Sequence, residues 1–338
     1  MIRARLIGFL LTGLLQVASA RADTMSDSDA IAASLADLGG KAALVAFESA
    51  PFPYRGMVPG DETHDDTPFL DAKDGARRGH TSSRGGIYWE DETYGDRRSL
   101  LYIPQGFDRR RAGAIVVFFH GNQARLARDV VQRQQVPQQL AQSNLNAVLV
   151  APQFAVDALD SSAGQFWQPG AFARYLREVD TQLAKLAGDG MSARDFARMP
   201  VILVAYSGGY LPAAWSLEVG EANRRLAGVV LLDAIYGDTE KFAGWIEDHQ
   251  PDAFFFSAFS PSSAEGNGDL QDQLMSHGID FALDPPPCLE AGDVAFLETG
   301  GSVVHNDFLS RAWTDDPLKW VFNRLRRFPR NTAKACTP

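Results

Sequence analysis

Eight short apolar runs, at residues 86–90, 99–103, 114–119, 147–151, 201–205, 228–232, 253–259 and 294–297, constrain this chain more than any other feature. They are rich in Val, Ile, Leu and Phe and apolar on both alternating phases, as strands must be when neither face of their sheet meets water. Amphipathic segments separate them. Phe172, Tyr175, Leu176, Val179, Leu183 and Leu186 form one helical stripe, and Leu318, Val321, Phe322 and Leu325 form another. A further helical segment near 126–140 contains Pro137, which predicts a kink or a break. Strands alternating with helices predict an α/β domain built on a mostly parallel sheet covered on both faces. The short 91–98 connection predicts that the first two strands pair antiparallel at an edge. No repeat of 20–50 residues is visible, which excludes solenoids and propellers.

One domain over 86–338 accounts for this pattern. Residues 23–85 are turn-rich, broken by Pro51-Phe52-Pro53-Tyr54 and by the acidic run Asp61-Glu62-Thr63-His64-Asp65-Asp66. They read as an irregular leader packed on the domain, with His64 in a solvated turn. Residues 1–22 read as an export signal: Arg3 and Arg5 open it, 6–17 are largely apolar, and Ala18-Ser19-Ala20 offers a small-x-small cleavage pattern. The apolar stretch is too short to span a bilayer as a helix. The expected location is therefore periplasmic or secreted, with no stable membrane insertion after cleavage. Cys288 and Cys336, the chain's two cysteines, fit an oxidising compartment, where a bridge between them would stabilise by about 4 kcal/mol at most. The 32 basic against 42 acidic residues, a net charge of −10, leave no electrostatic footprint for nucleic acid. The oligomeric state is not legible.

The chemistry concentrates at strand ends. Val201-Ile-Leu-Val-Ala-Tyr-Ser-Gly-Gly-Tyr210 runs an apolar strand straight into Ala205-Tyr206-Ser207-Gly208-Gly209, and a helix follows. In so tight a strand-to-helix turn the residues two before and two after the serine must be small, which Ala205 and Gly209 satisfy. The turn lifts the Ser207 hydroxyl out of the sheet beside the positive end of the next helix. A second strand ends in Phe119-His120-Gly121-Asn122-Gln123. In an acyl-transfer site the backbone amide after the nucleophile, here Gly208, supplies one oxyanion donor, and Asn122 or its neighbour Gln123 supplies the other. His120 reads as a residue that shapes this loop.

The loop beyond the eighth run carries Gly300-Gly301-Ser302-Val303-Val304-His305. Imidazole there can take the Ser207 proton and return it to the leaving group. A carboxylate must hold the imidazole tautomer. Asp233, closing the sixth run, is the first candidate; Asp269 or Glu265 after the seventh, and Asp238, are the alternatives. An aspartate ending an apolar strand is costly unless paired.

With the AYSGG turn, the HGN turn and the order Ser207, Asp233, His305, the chain resembles the α/β-hydrolase superfamily over roughly residues 86–328, and within it exported bacterial members. Its elbow departs from the commoner GxSxG only in carrying Ala205. The resemblance implies an eight-stranded sheet with a small cap or none, a serine nucleophile forming an acyl-enzyme, an ester, thioester or amide substrate, and neither cofactor nor metal. A carboxylic ester is the first expectation. A peptidase or amidase acting on extracytoplasmic peptide or cell-wall material is the alternative, and a non-catalytic binding protein on the same fold is a third reading. Phe154, Phe166, Trp167, Tyr206, Tyr210, Tyr236 and Phe259 are candidates for the substrate wall. The 155–170 loop, with Asp157, Asp160, Ser161 and Ser162, is long enough for a partial lid. Aromatic and acidic walls together would suit an acyl or glycan-linked ester better than an anionic one.

Overall fold

A computed structural model describes residues 26–60, 63–188, 190–328 and 330 of the chain. The expected signal segment and Cys336 lie outside the described residues. Eight strands form one sheet: β1 (Lys41–Ala46), β2 (Arg98–Ile103), β3 (Ala114–Phe119), β4 (Ala147–Pro152), β5 (Val201–Tyr206), β6 (Leu226–Leu232), β7 (Phe254–Phe259) and β8 (Val294–Glu298). Their spatial order is β1-β2-β4-β3-β5-β6-β7-β8. β2 runs antiparallel to both neighbours, and every pairing from β4 to β8 is parallel.

The double-phase apolarity of the runs has the expected consequence. Along β3, Ile115, Val117 and Phe119 enter one core, while Ala114, Val116 and Phe118 enter the other. The first core is closed by helix Ala171–Ala187, which presents Phe172, Tyr175, Leu176, Val179 and Leu183, and by the helices after β5, β6 and β7. The second is closed by helices Asp27–Leu35, Leu126–Arg133, Val136–Gln142 and Pro317–Arg324. The chain does break before Pro137, which then sits in the first turn of Val136–Gln142, where its missing N–H costs nothing.

Two expectations are corrected. Residues 86–90 are not the sheet's edge strand. Ile87–Trp89 belongs instead to a small antiparallel sheet with Ala72–Asp74 and Arg77–Thr81, where Ile87 is exposed. The edge is Lys41–Ala46, paired Lys41↔Ile103 through Ala46↔Arg98. The 23–85 segment is therefore more than an irregular leader. It supplies a sheet strand, a covering helix, and the aromatic group Phe52, Tyr54 and Phe69, which buries against Tyr94 and Trp167. The physical reason is that an edge strand has one open side. Lys41–Ala46 is half alanine, opens on a lysine and is only partly buried, so it lacks the double-phase signature by which the inner strands are read.

Candidate active site

Because β3, β5, β6 and β8 run parallel, the residues after them share one edge of the sheet. Ser207 follows β5 with φ +53°, a left-handed conformation costly for a non-glycine residue and the mark of the tight turn. Two neighbours must be glycine for backbone to come this close. A Cβ on Gly121 would stand 2.7 Å from Ser207 Cβ, and one on Gly208 would collide with the Asn122 side chain. Asp233, directly after β6, is also left-handed, at φ +46°.

The structure brings Ser207, His305 and Asp233 together. The Ser207 hydroxyl donates to His305 Nε2 at 2.7 Å, and His305 Nδ1–H donates to Asp233 Oδ2 at 2.6 Å. Asp233 is fully buried, Ser207 nearly so, and the imidazole about one-third exposed. Burial alone would push the Asp233 carboxyl up. Bonds from His305, Ser263, Ser260 and Ser262 outweigh it and hold the group at about 2. Asp233 Oδ1 accepts from the Ser260 amide at 2.9 Å and the Ser263 hydroxyl at 2.5 Å, and Oδ2 from the Ser262 hydroxyl at 2.8 Å. Ser260, Ser262 and Ser263 thus form a cage of donors around the Asp233 carboxylate. The alternatives are elsewhere: Glu265 and Asp269 are exposed on helix Ala264–Ser276, and Asp238 pairs with Lys241 at 3.0 Å.

At the HGN turn the Gln123 amide is already committed to the Ala158 carbonyl at 2.8 Å, which leaves Asn122 as the donor candidate opposite Gly208. Asn122 Oδ1 accepts from the Ser161 hydroxyl at 3.1 Å, and its Nδ2 is buried without a partner among the described residues. His120 is buried behind this turn. Its Nδ1–H donates to the Gly121 carbonyl, and its Nε2 accepts from the Phe154 amide and from Gln153 Nε2, both at 2.9 Å. Burial lowers its pKa to about 4, so the ring is neutral and structural.

Sequence reasoning missed two residues that touch the imidazole. Tyr206 stacks on His305 with centroids 5.0 Å apart and 21° between planes, and its hydroxyl donates to the His305 carbonyl at 3.1 Å. Tyr236 meets the ring edge-on at 6.3 Å, its hydroxyl 3.3 Å from Nδ1. In the sequence both are legible only as candidates for the substrate wall. Of that wall, Phe154, Phe166, Trp167 and Phe259 are core, while Tyr210 and Tyr236 remain partly exposed.

The 155–170 segment is pinned rather than lid-like. Asp157 pairs with Arg125 and Arg128, and Asp160 accepts from Tyr94 and Ser162. The leader hairpin latches onto it, since the Ser82 hydroxyl donates to the Leu159 carbonyl at 2.6 Å and the Leu159 amide to Tyr88 Oη at 3.1 Å. These carboxylates are spent on protein partners, so the expectation of an acidic substrate wall is corrected.

Strand order, crossover positions and the elbow between β5 and its helix decide the architecture. The fold is that of an α/β hydrolase. Neither a protein-family model nor a curated relative matches the sequence. Solved structures similar to it include a feruloyl esterase module from Clostridium thermocellum complexed with sinapinate, at 16% identity and TM-score 0.45, covering 81% of this chain and 97% of that one. An S-formylglutathione hydrolase from Agrobacterium tumefaciens is similar at 12% identity and TM-score 0.39, covering 75% and 98%. An IroE-like serine hydrolase from Shewanella oneidensis is similar at 12% identity and TM-score 0.39, covering 66% and 72%.

Proposed function

We propose that the protein is a serine hydrolase that cleaves a carboxylic ester through an acyl-enzyme on Ser207. The observation that carries this reading is the unbroken relay from the Ser207 hydroxyl through His305 to Asp233. In the first half-reaction Ser207 Oγ attacks the ester carbonyl as its proton passes to His305 Nε2. The oxyanion forms against the amides of Gly208 and Asn122, donors that are fixed before reaction and need no reorganisation. His305 then protonates the departing alkoxide, which leaves as the alcohol. In the second half-reaction His305 takes a proton from water, the hydroxide attacks the acyl group, and the acid is released with Ser207 reprotonated. Asp233 stays ionised throughout and stabilises the imidazolium.

The proposed setting is extracytoplasmic, on the strength of the basic-apolar-small pattern of residues 1–22. Recovery of a mature chain beginning at Arg21 from the exported fraction supports that location; recovery of an intact Met1 start from the cytosol refutes it. For the chemistry, a fluorophosphonate should label the folded protein at Ser207, and Ser207→Ala should abolish labelling. Short p-nitrophenyl esters should be hydrolysed in preference to aminoacyl amides, with Ser207→Ala slower by about 10³-fold or more. The reverse preference would identify an amidase, and failure of Ser207 to react would remove the mechanism.

A further inference from the structure

The leader hairpin carries a cation to the rim of the candidate active site. Residues 82–86 form its tip, closed by the Ser82 amide donating to the Gly86 carbonyl at 3.0 Å and the Gly85 amide donating to the Ser82 carbonyl at 2.9 Å. Arg84 is exposed on this tip, with its guanidinium 5.5 Å from the centroid of the Tyr236 ring. Tyr236 is the ring that meets His305 edge-on. One aromatic ring therefore separates the guanidinium from the imidazole. The hairpin is anchored: His80 stacks on Phe69 at 4.3 Å, and Ser82 and Tyr88 hold Leu159 from both sides. Arg84 is thus a positioned charge on a fixed base.

Carboxylates of the site and of its flanking loops have partners of their own. Asp233 is buried in its serine cage and bonded to His305, and Asp238 pairs with Lys241. Asp157 pairs with Arg125 and Arg128, and Asp160 is held by Tyr94 and Ser162. Asp307 accepts from the Val304 amide at 3.1 Å. Among the described residues Arg84 has no carboxylate partner, only the face of Tyr236. A guanidinium whose fork of donors is open to solvent, one ring away from the imidazole, fits a planar carboxylate in bidentate fashion.

Resting on the serine-hydrolase reading, we propose that Arg84 is a specificity-determining residue that selects esters bearing a free carboxylate near the scissile bond. The pairing geometry serves a carboxylate on either the alcohol or the acyl side, so the test has an arm for each. On the alcohol side the purified protein is given 4-acetoxybenzoate and its neutral isostere 4-acetoxybenzamide. On the acyl side it is given the monophenyl ester of adipic acid and the corresponding primary amide. Each pair is measured with wild type, Arg84→Gln and Arg84→Lys, and comparison between proteins cancels the intrinsic reactivity difference within a pair.

In at least one pair, Arg84→Gln lowers kcat/KM for the carboxylate ester about ten-fold, as the loss of one charge-assisted bond implies, while the neutral ester changes by less than about two-fold on the same scale. Arg84→Lys retains part of the preference, because the charge remains and the fork is lost. Equal falls for both members of each pair would make Arg84 merely structural and overturn the proposal, as would unchanged carboxylate turnover in both pairs. If wild type hydrolyses no ester and Ser207 is not labelled by a fluorophosphonate, the parent reading has failed. If Ser207 is labelled and neutral esters turn over without any Arg84-dependent preference, this proposal alone has failed.

Discussion

Replacing Asp233 by Asn changes one oxygen for an NH2 group inside a site that leaves the new amide little choice of orientation. Asp233 Oδ1 accepts from the Ser260 backbone amide, a donor that cannot reverse its role, and from the Ser263 hydroxyl. The amide oxygen must take that place. The NH2 group is then turned toward His305 Nδ1, where Oδ2 had accepted at 2.6 Å. Two donors cannot face each other, so the imidazole moves its proton to Nε2 and can no longer accept from the Ser207 hydroxyl at 2.7 Å. The expected cost is about 10³–10⁴-fold in kcat, or roughly 4–5.5 kcal/mol of barrier. Stopped-flow release of p-nitrophenol should show acylation slowed by that factor while thermal unfolding stays cooperative. A loss below about ten-fold in a folded protein would refute the orienting role of Asp233.

The same carboxylate makes an acid-stability prediction. Its folded-state pKa is depressed, to about 2 from 3.8. Its stabilising contribution is therefore complete above pH 4 and disappears as pH falls toward 2, amounting to about 2 kcal/mol. Urea midpoints should show wild type losing stability relative to Asp233→Asn across that window. A constant difference from pH 5 to 2 would mean that the caged carboxylate is not held ionised.

Gly121→Ala should displace the nucleophile while leaving all three triad side chains in place chemically: its Cβ would stand 2.7 Å from Ser207 Cβ and 3.1 Å from Tyr206 Cδ1, and a displacement of this size should lower kcat about 10²-fold, read by p-nitrophenyl ester turnover. Tyr206→Leu removes the ring stacked on His305 and the bond to its carbonyl, so ester kcat should fall more than KM changes, with Tyr206→Phe restoring part of the loss. We also propose the Cys288–Cys336 bridge; thiol titration of the denatured, unreduced protein should find no free thiol, and two equivalents would refute it.

How much of this was legible in the sequence follows from which constraints are local. The inner strands could be read to within a residue or two because burial on both faces writes apolar side chains into both phases, as in Ala114–Phe119 and Val201–Tyr206. The elbow was legible because its sterics fall within five consecutive residues. Asp233 could be proposed from its place at a strand end but not separated from Glu265, Asp269 or Asp238, because what separates them is the hydroxyl cage of Ser260, Ser262 and Ser263, and serine carries no periodic signal. Lys41–Ala46 and Arg84 were missed for one shared reason. An edge strand and an exposed hairpin tip are defined by partners far along the chain, Arg98–Ile103 in one case and Tyr236 in the other, and neither leaves a pattern in its own neighbourhood. Long-range pairing of this kind is also how the leader comes to shape the site. The hairpin it carries holds the 156–163 loop, that loop holds Asn122 through Ser161, and Asn122 stands opposite Gly208. Substitutions in the leader hairpin should therefore be felt at the Asn122 turn, a coupling that distance along the sequence would not suggest.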